Sequence, residues 1–262
     1  MNFKTFDQLS LYYETHGDPG AVPVVLIHGI GADHEMWKPQ LASFPASGYF
    51  VIVPDLRGHG ASELPQTFRI ADCAQDVHDL LASLGIQQAH LVGISMGGMV
   101  AQQYVLQYPA SALSLVLVDS LSGVTRALER FNACLAAFLL QFFPPKTQAS
   151  MIVKTYSQLG HAEVGKYFET RLLSMPPAWL LAARREVNRF TVIDSLASFS
   201  LPVLVLVGDA FGKLAIDMAR TSATRIPGAQ LEILTGGGDP SNLLVPEAFD
   251  SRVLAFLAAH SG

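Results

Sequence analysis

Ala89-His90-Leu91-Val92-Gly93-Ile94-Ser95-Met96-Gly97-Gly98 is the stretch from which the fold is read. Its first six residues are a short, nearly continuous apolar run of strand character, and a helical pattern opens after Ser95 and continues to Tyr108. A strand that passes straight into a helix through Gly-x-Ser-x-Gly needs small residues around the serine. Only they permit so sharp a turn, and the turn lifts the hydroxyl above the sheet edge at a helix N-terminus. The bare string is a weak signal; the strand-turn-helix setting makes it a strong one.

Outward from this point, VPVVLIH (22–28), YFVIVPD (49–55), LSLVLVD (113–119) and LPVLVLVGD (201–209) are further continuous apolar runs, as expected of strands covered on both faces. LSLYYET (9–15) alternates and suggests an exposed antiparallel strand, and AQLEILT (229–235) reads as the last strand. Helical patterns lie between them at Asp33 to Ser43, Ile70 to Leu84, Lys213 to Arg225 and Pro246 to His260. The βαβ order predicts an α/β protein, with a mostly parallel sheet and right-handed crossovers that put helices on both faces. From Leu121 to about Ser198 the alternation stops. Only helical segments remain there, separated by Pro144-Pro145, Gly160 and Pro176-Pro177. This predicts a helical lid over residues 121–195, inserted into a core made of 1–120 and 196–262. Its first helix, with Leu128, Phe131, Leu135, Phe138, Leu139, Phe142 and Phe143, carries more apolar surface than one stripe requires. It is expected to pack over the sheet and line an apolar pocket.

Composition narrows the function classes. Of 262 residues, 50% are apolar and only 15% charged, against roughly 25% charged in average globular proteins. A large core is expected and disorder is excluded. The net charge of −5 with 17 scattered Lys and Arg offers no footprint for a phosphate backbone, so nucleic-acid binding is not expected. MNFKTFDQLS has neither the basic start nor the apolar stretch of a secretory signal, and the most apolar segment, Ala133 to Phe143, is too short for a bilayer span. Cys73 and Cys134 have no metal or redox spacing. Together these readings favour a cytoplasmic location. No metal or cofactor is expected either, since the histidines and carboxylates lack ligand spacing and the glycine-rich turns lack a nucleotide fingerprint.

His28-Gly29-Ile30-Gly31 ends an earlier buried strand, and its loop can point backbone N–H groups over the same sheet edge. The Ile30 and Met96 amides would then form the two-donor oxyanion hole that acyl transfer requires. His28 and Gly29 are placed at the pocket, His28 chiefly as packing. Asp55-Leu56-Arg57-Gly58-His59-Gly60-Ala61-Ser62 reads as a tight, hydrogen-bonded loop, which is architecture and not chemistry.

With the His-Gly loop, D-x-R-G-x-G-x-S, the serine turn, the helical insert and the Pro246-Glu247-Ala248-Phe249 helix start, nearly the whole chain resembles the α/β-hydrolase fold superfamily. It is most similar to the small esterase, lactonase and perhydrolase-like members with a helical cap. The resemblance implies an eight-stranded, mostly parallel sheet, Ser95 as nucleophile, Ile30 and Met96 as oxyanion hole, and a small apolar molecule as ligand.

The chain departs from the family at the other two members of the triad. Where the family has G-x-x-D, Gly208-Asp209-Ala210-Phe211 puts Phe211 at the acid; where it has G-H, Gly238-Asp239 puts Asp239 at the histidine. Phe211 is expected to spare Asp239 a like-charged neighbour and to raise its pKa by apolar contact. A carboxyl so shifted, beside an oxyanion hole, is a candidate acid or base. Asp119, at the end of the sixth strand, stands where some members keep their acid, and Asp209 is a second substitute. Of the histidines, only His28, His59 and His161 are expected within reach of the pocket. Removing a triad histidine costs roughly 10⁶ in kcat and leaves about 10³ to 10⁴ over water. Three readings follow: a hydrolase with lost or weakened ester chemistry, a proton-transfer enzyme (lyase or isomerase) using Asp239 as base, and a small-molecule receptor without turnover.

Overall fold

The computed structural model of the protein describes residues 1–123 and 142–261. The strands are β1 (Asn2–Lys4), β2 (Ser10–His16), β3 (Val22–Ile27), β4 (Tyr49–Pro54), β5 (Ala89–Ile94), β6 (Ala112–Val118), β7 (Val203–Gly208) and β8 (Gln230–Leu234). They form one eight-stranded sheet in the order β1-β2-β4-β3-β5-β6-β7-β8. β3 to β8 pair in parallel, and β1 and β2 are antiparallel at one edge. The apolar runs read from the sequence become these strands because both faces of the sheet are covered; β4, β5 and β7 are buried at every residue. β1, with three residues, is too short to show a period and was not among the strands read from the sequence.

Helices α1 (Gln40–Ala46), α2 (Ile70–Ser83), α3 (Met96–Gln107), α4 (Pro145–Gln158), α5 (Ala162–Ser174), α6 (Pro177–Arg189), α7 (Lys213–Arg225) and α8 (Pro246–Ala258) complete the described scaffold, with short turns between. On one face Val77, Leu80, Val100 and Tyr104 of α2 and α3 and Ala219 of α7 pack against the sheet. On the other, Trp37, Phe44 of α1 and Phe249 and Val253 of α8 do so. The pattern at Asp33 to Ser43 resolves into a 3-10 turn, His34–Trp37, capped by Asp33, and then α1. Pro39 separates them, since it lacks the N–H that would continue the first turn.

Between β6 and β7 the described residues contain α4, α5 and α6, which start at Pro145, just past Gly160 and at Pro177. Most of the first predicted helix of this region, Leu128 to Leu139, lies outside the described residues, as does Cys134. Phe142 and Phe143 are described and exposed. α4 and α5 run side by side, close enough that a Cβ on Gly165 would stand 2.9 Å from the Val153 backbone. Side chains tie the insert to the core: Tyr167 exchanges hydrogen bonds with Asp33, Arg171 pairs with Asp33 and Glu35, and Trp179 lies against Gly58. No helix of the described residues is long and apolar enough to cross a membrane.

In the strand order, β4 and β5 lie on opposite sides of β3, so the chain reverses its direction of travel across the sheet there. Open α/β sheets bind ligands at the carboxyl ends of strands at such a switch point. The loops after β3 and β5 meet at that place.

Candidate active site

Ser95 sits between β5 and α3 with φ 54° and ψ −120°, a conformation that costs an L-residue about 1–3 kcal/mol and persists only where its surroundings enforce it. The enforcement is local. A Cβ on Gly97 would stand 2.1 Å from the Ile27 carbonyl oxygen, and one on Gly93 2.4 Å from that of Gly97, so only glycine lets the turn fold back on itself. The Ser95 N–H continues the ladder to Val118 O at 2.9 Å, and Ser120 Oγ donates to Ser95 O at 2.7 Å.

The Ser95 hydroxyl donates to Asp239 Oδ2 at 2.8 Å. Asp239 follows β8, is half-buried, and has its backbone carbonyl held by the Tyr156 hydroxyl of α4 at 2.6 Å. Its pKa is pushed up from 3.8 to about 7, first by burial and then by the negative charge of Asp119; the Ser95 hydrogen bond opposes both. Phe211 does not remove the like-charged neighbour, because Asp119 supplies one. Asp119, at φ 46° and 2% exposed, accepts the Gly208 N–H on Oδ1 and the Ser241 N–H on Oδ2, each at 2.8 Å. Burial raises its pKa too, and these two amides hold it back.

Gly29, Ile30, Ser95 and Asp239 line a cavity of about 160 Å³, which Ile152, Tyr156 and Phe168 of α4 and α5 help to enclose. Asp239 also borders an adjoining space of about 340 Å³ whose walls include Phe211, Met151 and Leu244. Met96, as the first residue of α3, has an N–H with no ladder acceptor.

No histidine lines either cavity or bonds to Ser95 or Asp239 among the described residues. His28 is fully buried. Its Nε2 accepts the Leu56 N–H at 3.0 Å and its Nδ1 donates to Gly29 O at 2.8 Å. Burial lowers its pKa to about 4, so it is a neutral strut of the loop. His59 is buried, with Nδ1 donating to Arg57 O, and its pKa falls to about 3 for the same reason. His161 precedes the first residue of α5 and makes no side-chain hydrogen bond to that helix's N-terminus. His34, which the sequence reading passed over, bonds Asp55 at 2.9 Å. Asp209 accepts the Gly236 N–H at 2.8 Å and so braces the turn after β8. The sequence reading also missed Tyr156, Ile152 and Phe168. Ile152 and Tyr156 stand four residues apart on one face of α4, the only signal that singled them out. No group of three or more His, Cys, Asp or Glu among the described residues is arranged to hold a metal ion.

Residues 22–238 match the family model described as alpha/beta hydrolase fold. The 3-oxoadipate enol-lactonase 1 of Acinetobacter baylyi is 28% identical over 243 residues, 92% of this chain and 90% of that protein. Among solved structures, a hydrolase from Pseudomonas aeruginosa superposes with a TM-score of 0.86 at 29% identity, covering 98% of this chain and 97% of the other. A thermophilic esterase from Thermogutta terrifontis does so at 0.86 and 27%, covering 99% and 98%.

Proposed function

The chain belongs to the α/β-hydrolase fold family, and from that premise we propose that it is a serine hydrolase scaffold in which a carboxyl group, Asp239, serves Ser95 in place of an imidazole. Its substrates are small apolar carboxylic esters or lactones, and hydrolysis is slow at neutral pH. The 2.8 Å bond from Ser95 Oγ to Asp239 Oδ2 carries this reading. The enol-lactonase and esterase among its relatives support the substrate class, as do the apolar walls of the two cavities beside Asp239.

In the ionised form Asp239 accepts the Ser95 proton as Oγ attacks the ester carbonyl carbon. The carboxyl becomes neutral, and the negative charge passes to the carbonyl oxygen, where the Ile30 and Met96 amides would receive it. As the intermediate collapses, the C–O bond to the leaving alcohol breaks and Asp239 returns the proton to that oxygen. Asp239 then takes a proton from water as its oxygen attacks the acyl carbon, and returns that proton to Ser95 Oγ as the Oγ–carbon bond breaks and the acid is released. A base with a pKa of about 7 is well matched to neutral pH, but half the molecules there hold it protonated.

Hydrolysis of p-nitrophenyl esters and labelling by a fluorophosphonate should therefore be slow and should rise with pH through about 7. Asp239→Asn should lower kcat/KM by about 10² to 10⁴ and abolish that rise. A wild-type profile flat between pH 5 and 9, or an unchanged Asp239→Asn rate, refutes the proposal. The raised pKa also favours a second reading, abstraction of a carbon-bound proton by Asp239. Ser95→Ala separates the two: it abolishes acyl transfer and spares proton abstraction.

A further inference from the structure

α4 and α5 enclose more than the Ser95 cavity. Ile152 and Phe168 border that cavity. Gln148 and Leu172, each one helical turn along its own helix in the same direction because α4 and α5 are antiparallel, border a second cavity of about 440 Å³. One turn is about 5.4 Å, so the second cavity adjoins the first and shares no wall residue with it. Its volume lies within the roughly 300–1,000 Å³ typical of small-molecule sites. Its described walls are mainly apolar, with Leu172, Met175, Leu180 and Leu181 among them.

The polar side chains in the wall are Gln148 of α4 and Arg184 of α6, of which Arg184 carries the charge. It makes no ion pair and no hydrogen bond with any described residue, and its Nε is completely buried without a partner. Burial alone, with no carboxylate to offset it, lowers its pKa. Arg57, which is 1% exposed, has both Nε and Nη2 on Asp76 at 2.6 Å; Arg184 is half-buried and has no such partner among the described residues. A buried Nε without a partner is costly for the empty protein, and an anion seated against Arg184 offsets that cost. Arginine matches a carboxylate through two parallel N–H···O bonds.

We propose that the cavity between α4, α5 and α6 binds an unbranched apolar carboxylic acid, its chain against Leu172, Met175 and Leu181 and its carboxylate on Arg184. The site does not depend on turnover at Ser95, so binding is measured directly. Titration calorimetry of the full chain with decanoate, below its micellar concentration, should give saturable one-to-one binding. Decanol, with the same chain and no charge, should bind at least about 10-fold more weakly, as should acetate, which has the charge without the chain. Arg184→Met, which keeps the volume and removes the charge, should erase the preference for decanoate over decanol; Arg184→Lys should keep most of it. Leu181→Trp, which fills the cavity, should weaken both ligands. Thermal melts establish that each variant is folded. Equal binding of decanoate and decanol, an Arg184→Met variant that still prefers decanoate, or no binding of decanoate at millimolar concentration overturns the proposal.

Discussion

Replacing Asp239 by asparagine should make the protein more stable, and more so as the pH rises. Asp239 has an ordinary carboxyl pKa of 3.8 in the unfolded chain and about 7 in the folded one, so folding favours its protonated form. The sign follows directly. A raised folded pKa leaves stability unaffected below about pH 3.8 and erodes it as the pH climbs toward 7, above which the loss is complete. The full loss is about 4 kcal/mol, at 1.36 kcal/mol per pKa unit. At pH 5 only a minor part of it has been incurred. Asparagine is isosteric and uncharged, and its side-chain oxygen still accepts the Ser95 hydroxyl. The stability gap between Asp239→Asn and wild type should therefore widen by about 3 kcal/mol between pH 5 and pH 8.5. In a chain of this length that corresponds to roughly 6–10 °C in Tm. Thermal melts of both proteins at the two pH values, with urea titrations alongside, measure it. A gap that does not change with pH, or a variant less stable than wild type at pH 8.5, refutes the assignment of a buried, charge-opposed carboxyl at this position.

Further substitutions test the site and the core. Asp239→His alone should raise ester hydrolysis by at least about 10²-fold, because Asp119 already stands behind residue 239 to support a ring; Asp239→His with Phe211→Asp should add little, and stopped assays on p-nitrophenyl acetate decide between them. Arg57→Met should cost about 3–5 kcal/mol in urea unfolding, since Arg57 is 1% exposed and bonded to buried Asp76, and losing one partner of a buried pair strands the other.

Much of the fold was legible because its determinants are local. Strands covered on both faces announce themselves as continuous apolar runs, and proline or glycine marks where α4, α5 and α6 start. β1 escaped because it is held by its register with β2, not by a pattern of its own. The site divides in the same way. Ser95 is fixed by a turn whose glycines are adjacent in the chain, and Asp239 by its place after β8. Asp119 takes its importance from amides at Gly208 and Ser241, 89 and 122 residues away. No short window contains that arrangement. The residues enclosing the cavity, Tyr156 and Phe168, stack at 5.6 Å across two helices, and helical spacing alone does not say what such a pair faces.

Asp119 acts on a carboxyl at residue 239 in the same sense as it would act on an imidazole there. A negative charge behind an imidazole favours the protonated ring; behind a carboxyl it disfavours the ionised form. Both raise the proton affinity of the group that, in the proposed mechanism, takes the Ser95 proton, so the carboxylate behind the base keeps its sense when the base is exchanged. What changes is the charge of the conjugate acid. Protonated imidazole is a cation that offsets the oxyanion, whereas protonated Asp239 is neutral. In a half-buried pocket the neutral acid has no ionic desolvation to overcome, which is the same fact as its pKa near 7. Under the proposed chemistry the oxyanion would then rely on the Ile30 and Met96 amides and the N-terminus of α3. Under the proposed chemistry the site therefore favours esters and lactones whose leaving oxygen is itself a weak base, because these place the least charge on the oxyanion before the bond breaks.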